Sequence, residues 1–256
     1  MISKNKLKEL AAYRQQKRCD EEAVFVVEGP KMAAEVLATE GVVVRAICAT
    51  NEWMAEWEMP GVDFYEVSQA ELERLSNMRS PNQVWMLVER KVERGKWKAE
   101  RGLTLALDKI QDPGNLGTML RTADWFGIRH VVCSHDTADR YNPKAVQASM
   151  GAVLRTQVEY TDLPKWLSAC GLPVYGASLQ GTPLPLAAEP PERAVLLIGN
   201  ESRGISPEAM AQVTHPVLIP NIGGTAESLN AAVAAGILMH WMVGKSYEEL
   251  GKPRLS

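Results

Sequence analysis

Cysteine is scarce in this chain: four residues in 256, at Cys19, Cys48, Cys133 and Cys170, with no C-x-x-C pair among them. That scatter excludes a zinc ribbon or a dithiol redox motif and fits a reduced, cytoplasmic setting. The four histidines, His130, His135, His215 and His240, lack metal-ligand spacing, so no metal site is expected. No serine-histidine-acid arrangement is legible, which leaves hydrolase chemistry little support. Excess charge is also missing. The net charge is -3 at pH 7 and the pI about 5.9, which argues against a protein held to nucleic acid by bulk charge. There is no long hydrophobic run either. The longest, Ala231 to Gly244, contains His240 and is too short to span a bilayer. Met1 to Lys6 carries no apolar signal core, so a soluble protein without a membrane partner is expected. Finally, no Walker loop and no G-x-G-x-x-G spacing occurs, which argues against a standard ATP or dinucleotide site.

What is present is apolar substance, 46% of residues against 23% charged, enough for one large domain or two smaller ones. Residues 1–89 alternate strand and helix signals. Strands are expected over 23–27, 42–48, 62–67 and 84–88. Pro30 suits a first helical turn, and Ser68 with Glu71 three residues on has capping-box spacing. This is an α/β unit large enough to fold alone. Residues 90–101 then break the pattern with Arg90, Lys91, Arg94, Lys96, Lys98 and Arg101, a basic linker in which Trp97 is available to stack on a base. A second basic cluster runs from Lys4 to Arg18, while acidic residues gather between Glu52 and Glu73. Segregated charge of this kind is compatible with RNA contact. From residue 102 to 256 strand and helix alternate again, with strands expected at 103–107, 130–133, 156–160, 174–177, 195–198 and 217–219. A mostly parallel sheet covered on both faces follows.

Polar residues collect where these strands meet helices, which in such an architecture marks the ligand crevice. The first cluster runs from Asp108 through Asp112, Pro113, Gly114, Asn115 and Gly117 to Arg121. Asn115 is a good N-cap for a helix whose stripe is Leu116, Met119, Leu120, Ala123 and Phe126. Arg121 falls off that stripe, pointing to solvent or into a cleft. The second cluster follows the apolar strand Leu196-Leu197-Ile198: Gly199 permits a sharp exit, then Asn200 to Gly204 form a polar loop that holds Glu201 at a strand end. The third is Ile219-Pro220, a loop over 221–227, and Ser228-Leu229-Asn230. Ser228 reads as a cap, and Asn230, inside a helix, needs a partner for its amide.

These pieces, in this order, resemble the SpoU (TrmH) family of RNA ribose 2′-O-methyltransferases. The resemblance rests on Asp112-Pro113-Gly114-Asn115-Leu116-Gly117-Thr118-Met119-Leu120-Arg121, on Leu197-Ile198-Gly199-Asn200-Glu201-Ser202-Arg203-Gly204, and on Ile219-Pro220 with Glu227-Ser228-Leu229-Asn230. Pro143 to Val146 and Ala148 to Ala152 also look like the family. Phe25-Val26-Val27-Glu28-Gly29-Pro30-Lys31 resembles the opening of the L30e-like substrate-binding domain of ribosomal-RNA members. The resemblance implies an α/β parallel-sheet methyltransferase domain with a deep trefoil knot (SPOUT fold) and a smaller N-terminal α/β L30e-like domain. It implies S-adenosylmethionine as cofactor, structured RNA as substrate and a homodimer. It further implies that Leu179, on a neighbouring loop, with Gly199, Ile219 and Leu229 holds the cofactor, and that Arg121 activates the ribose hydroxyl with Asn115, Glu201, Ser228 and Asn230. Many members carry Asn-Val-Ser-Val where this chain has Asn230-Ala231-Ala232-Val233, and the 221–227 loop is one residue longer than usual. Ribosomal RNA is the expected substrate, with transfer RNA, or a non-catalytic RNA-binding or assembly role, as the alternatives.

Overall fold

The computed structural model describes residues 1–54, 61–91, 102–187, 190 and 192–249. Apart from residues 90 and 91, the expected basic linker with Trp97 lies outside the described residues. The chain divides into two compact units: Met1–Arg94 with Asp139–Arg155, and Gly95–Ala138 with Thr156–Ser256.

The first unit is built on a four-stranded sheet of β1 (Val24–Glu28), β2 (Val44–Ala49), β3 (Asp63–Glu66) and β4 (Val84–Glu89), in the order β1-β4-β2-β3. β4 runs antiparallel to both neighbours, and β3 runs parallel to β2. Side chains alternate across a strand, so β1 feeds two cores. Phe25 and Val27 pack with Met32, Val36, Ile47 and Met86, while Val24 and Val26 pack with Leu7, Leu10, Trp85 and Leu87. The helix Pro30–Ala38 starts at its proline. The capping box forms as its spacing predicts, with the Glu71 carboxylate accepting from the Ser68 backbone N–H at 2.8 Å.

Residues 139–155 complete the first of these cores. Tyr141, Val146, Val153 and Leu154 are buried in it, and the Tyr141 ring lies 4.8 Å from Phe25. The guanidinium groups of Arg90 and Arg140 sit 4.9 and 4.7 Å from the same ring. Arg155 pairs with Glu35 at 2.5 Å. Gly151 has φ +88°, and a Cβ there would stand 2.7 Å from the Glu35 carboxylate. This position therefore needs glycine twice over, for its backbone and for its space.

The second unit is a six-stranded sheet: β5 (Gly102–Leu107), β6 (His130–Ser134), β7 (Gln157–Thr161), β8 (Val174–Pro183), β9 (Arg193–Ile198) and β10 (His215–Leu218). Its order is β10-β8-β9-β5-β6-β7 and every pairing is parallel. β5 and β9 are central, and the near-continuous apolar runs Leu105-Ala106-Leu107 and Ala194 to Ile198 are fully buried, as a sheet covered on both faces requires. β8 is longer than the sequence predicts. It stays extended to Pro183 because, past a register shift at Pro216/Val217, β10 pairs Val217 with Thr182 and Leu218 with Pro183. Leu179 consequently lies in a strand and not on a loop.

Candidate functional site

The sheet order turns back between β5 and β9, which run side by side with Leu107 opposite Ile198. In open parallel sheets the crevice outside the carboxyl ends of such strands is where ligands bind. Two loops leave the sheet there and are tied to one another. Asp108, buried, accepts the Ser206 backbone N–H at 2.7 Å. Asn200 donates its side-chain amide to the Lys109 carbonyl at 2.9 Å. Its Oδ1 gathers Ser202 N–H, Ser202 O–H and Arg203 N–H within 3.1 Å. Asn200 and Gly204 also bond through their backbones in both directions. The turn is so tight that a Cβ at Gly199 would lie 2.2 Å from Ile205 N.

The helix Pro113–Trp125 is capped by Asp112, whose Oδ1 accepts the Asn115 N–H at 2.9 Å. Asn115 is therefore not the N-cap expected from sequence. Pro113 takes the first helical position, where its missing N–H costs nothing, and the carboxylate in front of it meets the positive end of the helix. That frees the Asn115 side chain. Its Nδ2 donates to Glu201 Oε1 at 2.7 Å, and its Oδ1 accepts from Asn230 Nδ2 at 3.1 Å. Asn230 is also differently placed. It precedes the helix Ala231–Glu249 and caps it, its Oδ1 accepting from Ala232 N at 2.9 Å and Val233 N at 3.3 Å. Three residues that are far apart in sequence thus form one string, Glu201–Asn115–Asn230.

Beside the string, through Leu229 and Ser228, opens a cavity of about 380 Å³ whose walls include Leu179, Leu218, Ile219 and Leu238. Its outer loop is folded around one side chain. Asn221 Oδ1 accepts from Gly223 N at 3.0 Å and Gly224 N at 2.7 Å, and its Nδ2 donates to Gly224 O and Ala226 O. Three of the four residues expected at a cofactor, Leu179, Ile219 and Leu229, line this cavity, and Gly199 does not. Ser228 lines it too, exposed and without a hydrogen bond among the described residues. Arg121 stands apart. It is exposed, its side chain makes no hydrogen bond or ion pair among the described residues, and six positions on from Asn115 it lies about 120° around the helix.

Asp108, Asn200 and Asn221 hold these loops, yet sequence reasoning assigned them no role. Each has a local signal: a carboxylate directly after a buried strand, and asparagines followed within three residues by glycine or serine, the pattern of a side chain that folds its own turn. The resulting arrangement can orient a hydroxyl-bearing ligand between amides and one carboxylate, beside an apolar slot. No cluster of three or more histidine, cysteine or acidic side chains suited to a metal ion occurs among the described residues.

Known proteins resemble both parts of the chain. Residues 102–240, more than half of the chain, match the model of the SpoU rRNA Methylase family, and residues 4–85 match that of the MRM3-like substrate binding domain. The chain is 32% identical over 224 residues to the 23S rRNA (guanosine(2553)-2'-O)-methyltransferase RlmP of Bacillus subtilis, an alignment covering 86% of this chain and 88% of that one. A solved RNA methyltransferase structure of the TrmH family from Porphyromonas gingivalis superposes with a TM-score of 0.83 at 39% identity, covering 94% of this chain and 98% of that one. An AdoMet-bound rRNA methyltransferase from Sinorhizobium meliloti also superposes at 0.83, with 26% identity and 96% of each chain covered.

Proposed function

Because this chain belongs to the SpoU rRNA methylase family, we propose that it transfers a methyl group from S-adenosylmethionine to a ribose 2′-hydroxyl of 23S ribosomal RNA. The observation that carries this reading is the Glu201–Asn115–Asn230 string at the carboxyl ends of β5 and β9, continuous through Leu229 with the apolar cavity. The cavity fits the adenosine portion of the cofactor: about 380 Å³, with aliphatic walls for a purine and a glycine-bearing loop whose backbone can approach it. Leu179, Ile219 and Leu229 would hold that portion, and Gly199 keeps the neighbouring turn closed. When bound, the cofactor supplies a methyl already made electrophilic by its sulfonium.

What remains for the chain is alignment and proton removal. Asn115, Glu201, Ser228 and Asn230 orient the ribose. Arg121 polarises the 2′-hydroxyl, because a guanidinium whose pKa exceeds about 12 does not serve as a base. Two units, one of them matching a substrate-binding model, favour a large structured RNA. The fold family implies the deep trefoil knot. Val233 and Ile237 are exposed four residues apart on the helix Ala231–Glu249, and exposed Trp125 ends the helix packed against it; an exposed apolar patch of this kind favours a homodimer. No described helix is long and apolar enough to cross a membrane, and the cytoplasm, where ribosomal RNA is modified, is the proposed location.

Two measurements test this. Calorimetric titration should detect S-adenosylmethionine binding, and its absence would favour the non-catalytic alternative. Mapping of 2′-O-methyl groups in RNA from cells with and without the gene should lose a site in 23S RNA. A site lost only from transfer RNA would overturn the substrate.

A further inference from the structure

The first unit contains a second cavity, of about 350 Å³, that the proposed transfer does not use. It opens at the edge strand β1, and its walls come from three separate stretches: Val26 and Glu28, then Met78, then Pro143, Val146 and Gln147. Segment 139–155 belongs to this unit, so the cavity exists only where that segment is in place.

Its floor holds a carboxylate that an ordinary surface would not bury. Glu28 is only 6% exposed. One of its oxygens accepts from the Ser76 hydroxyl and the other from the Asn77 N–H at 3.1 Å. The Ser76 oxygen in turn accepts the Met78 N–H at 2.8 Å, which fixes the turn and with it the carboxylate. An ionised carboxylate offers about four acceptor sites across its two oxygens. Two are occupied, which leaves a spare acceptor on each oxygen. Burial holds this carboxyl above its ordinary range, the condition that ligand donors relieve. The rest of the lining supplies apolar faces in Val26, Met78, Pro143 and Val146, and an amide in Gln147 that has no hydrogen bond among the described residues. Exposed Lys144 also lines the cavity.

Two parallel acceptors between apolar faces match one nucleobase edge, the paired N1–H and N2–H donors of guanine. Adenine presents a single amino donor on that edge, and uracil a single imino donor. We infer that this cavity is a guanine-reading pocket, in which Glu28 accepts both donors of an unstacked guanine while Met78 and Pro143 flank its faces. Single-stranded RNA is read in this way, by bases splayed out and hydrogen-bonded on their Watson–Crick edges. The inference rests on the RNA-substrate reading above for the source of the base. The chemistry itself is that of a guanine, whether in a strand or as a free nucleotide.

The test uses the full chain and short oligouridylates carrying one central guanosine, inosine or adenosine, with guanosine monophosphate as competitor. A correctly placed bidentate pair discriminates by about ten- to a hundredfold. The guanosine oligomer should therefore bind that much more tightly than the adenosine one, with inosine, which lacks N2, between them. Glu28→Gln should bring the three affinities together while S-adenosylmethionine titration stays unchanged. Equal affinities for the three oligomers in the wild-type protein, or a guanosine preference that survives in folded Glu28→Gln, would overturn the assignment. If Glu28→Gln does not fold, Gln147→Leu takes its place: it should weaken guanosine binding severalfold, and unchanged binding counts against the pocket. Displacement by guanosine monophosphate at the oligomer's own affinity assigns the pocket to free nucleotide, and weak displacement assigns it to an RNA strand. Loss of methyl transfer with the guanosine preference intact would fault the methyltransferase reading alone, and the reverse would fault the pocket alone.

Discussion

Asn115→Ala removes both ends of the string at once. The bond to Glu201 is short and charge-assisted, a class that contributes about 1.5–3 kcal/mol, and the bond from Asn230 is neutral, about 0.5–1.5 kcal/mol. Glu201 is only half-buried and Asn230 is exposed, so water replaces much of both. The lower ends apply, and the loss in folding stability should be roughly 2 kcal/mol. Transfer should suffer more. If the string aligns the ribose, a displacement of about 1 Å can cost about a hundredfold in kcat/KM, with cofactor affinity little changed because Asn115 does not line the cavity. Asn115→Asp is the sharper perturbation. It keeps the volume but sets a carboxylate where an amide now donates 2.7 Å from Glu201, so like charges meet. Denaturant unfolding gives the stability of Asn115→Ala, Glu201→Ala and the double variant, and single-turnover methyl transfer gives the rates. The cycle should show a coupling of about 1 kcal/mol or more, outside the 0.3–0.5 kcal/mol within which independent sites add. Additive stabilities together with an active Asn115→Asp would refute the string as a functional unit.

Four further outcomes follow from particular contacts. Arg121→Lys keeps the charge but loses the planar fork, so turnover should fall by about a hundredfold with S-adenosylmethionine affinity unchanged; near-wild-type turnover removes Arg121 from the mechanism. Gly199→Ala drives a Cβ against the backbone of Gly204 and Ile205, which cannot yield as a side chain would; a loss above about 3 kcal/mol in denaturant unfolding is expected, and a small loss contradicts the close approach. Burial holds the Glu28 carboxyl above its ordinary 4.5, so between 4.5 and the raised value the folded protein keeps a proton that the unfolded chain has released. Stability should rise as pH falls through that window, with the rise missing in Glu28→Gln; parallel pH profiles of the two proteins would argue against it. Burial also pushes the Cys48 thiol up to about 12. Mass spectrometry after alkylation at about pH 9 should find Cys48 unmodified in the native protein, and labelling at the rate of a free thiol would show the site to be open.

Much of the fold was legible because it obeys local rules. The buried strands β5 and β9 announce themselves as apolar runs, and Ser68 with Glu71 is read correctly from spacing alone. The misplacements share one cause, competition that spacing does not rank. Asn115 and Asp112 are both good caps, and the decision falls to Pro113, which fixes the first helical position and hands the cap to Asp112. Asn230 reads as lying inside a helix, yet its own oxygen takes the first free N–H groups and starts the helix. β8 runs past its expected end because a partner strand continues it, which is a long-range fact. Least legible was segment 139–155. Its motif residues read as part of the second unit, while Tyr141, Val146, Val153 and Leu154 are consumed by the core of the first.

The site was harder to read than the fold for a chemical reason. Hydrolases and redox enzymes assemble nucleophiles, bases or thiols whose spacing betrays them. Transfer of a methyl from a sulfonium needs none of these, because the electrophile arrives activated, and the protein has chiefly to align it with one oxygen. In the proposed site amides and a single carboxylate would do the aligning beside Arg121, and they are the residues most easily dismissed as caps and surface loops. Asn115 shows why the dismissal fails: a side chain displaced from capping by its own neighbours is left with both its donor and its acceptor turned toward distant partners, Glu201 and Asn230. A polar residue released from its local duty in this way is a better candidate for a site than its residue type alone makes it.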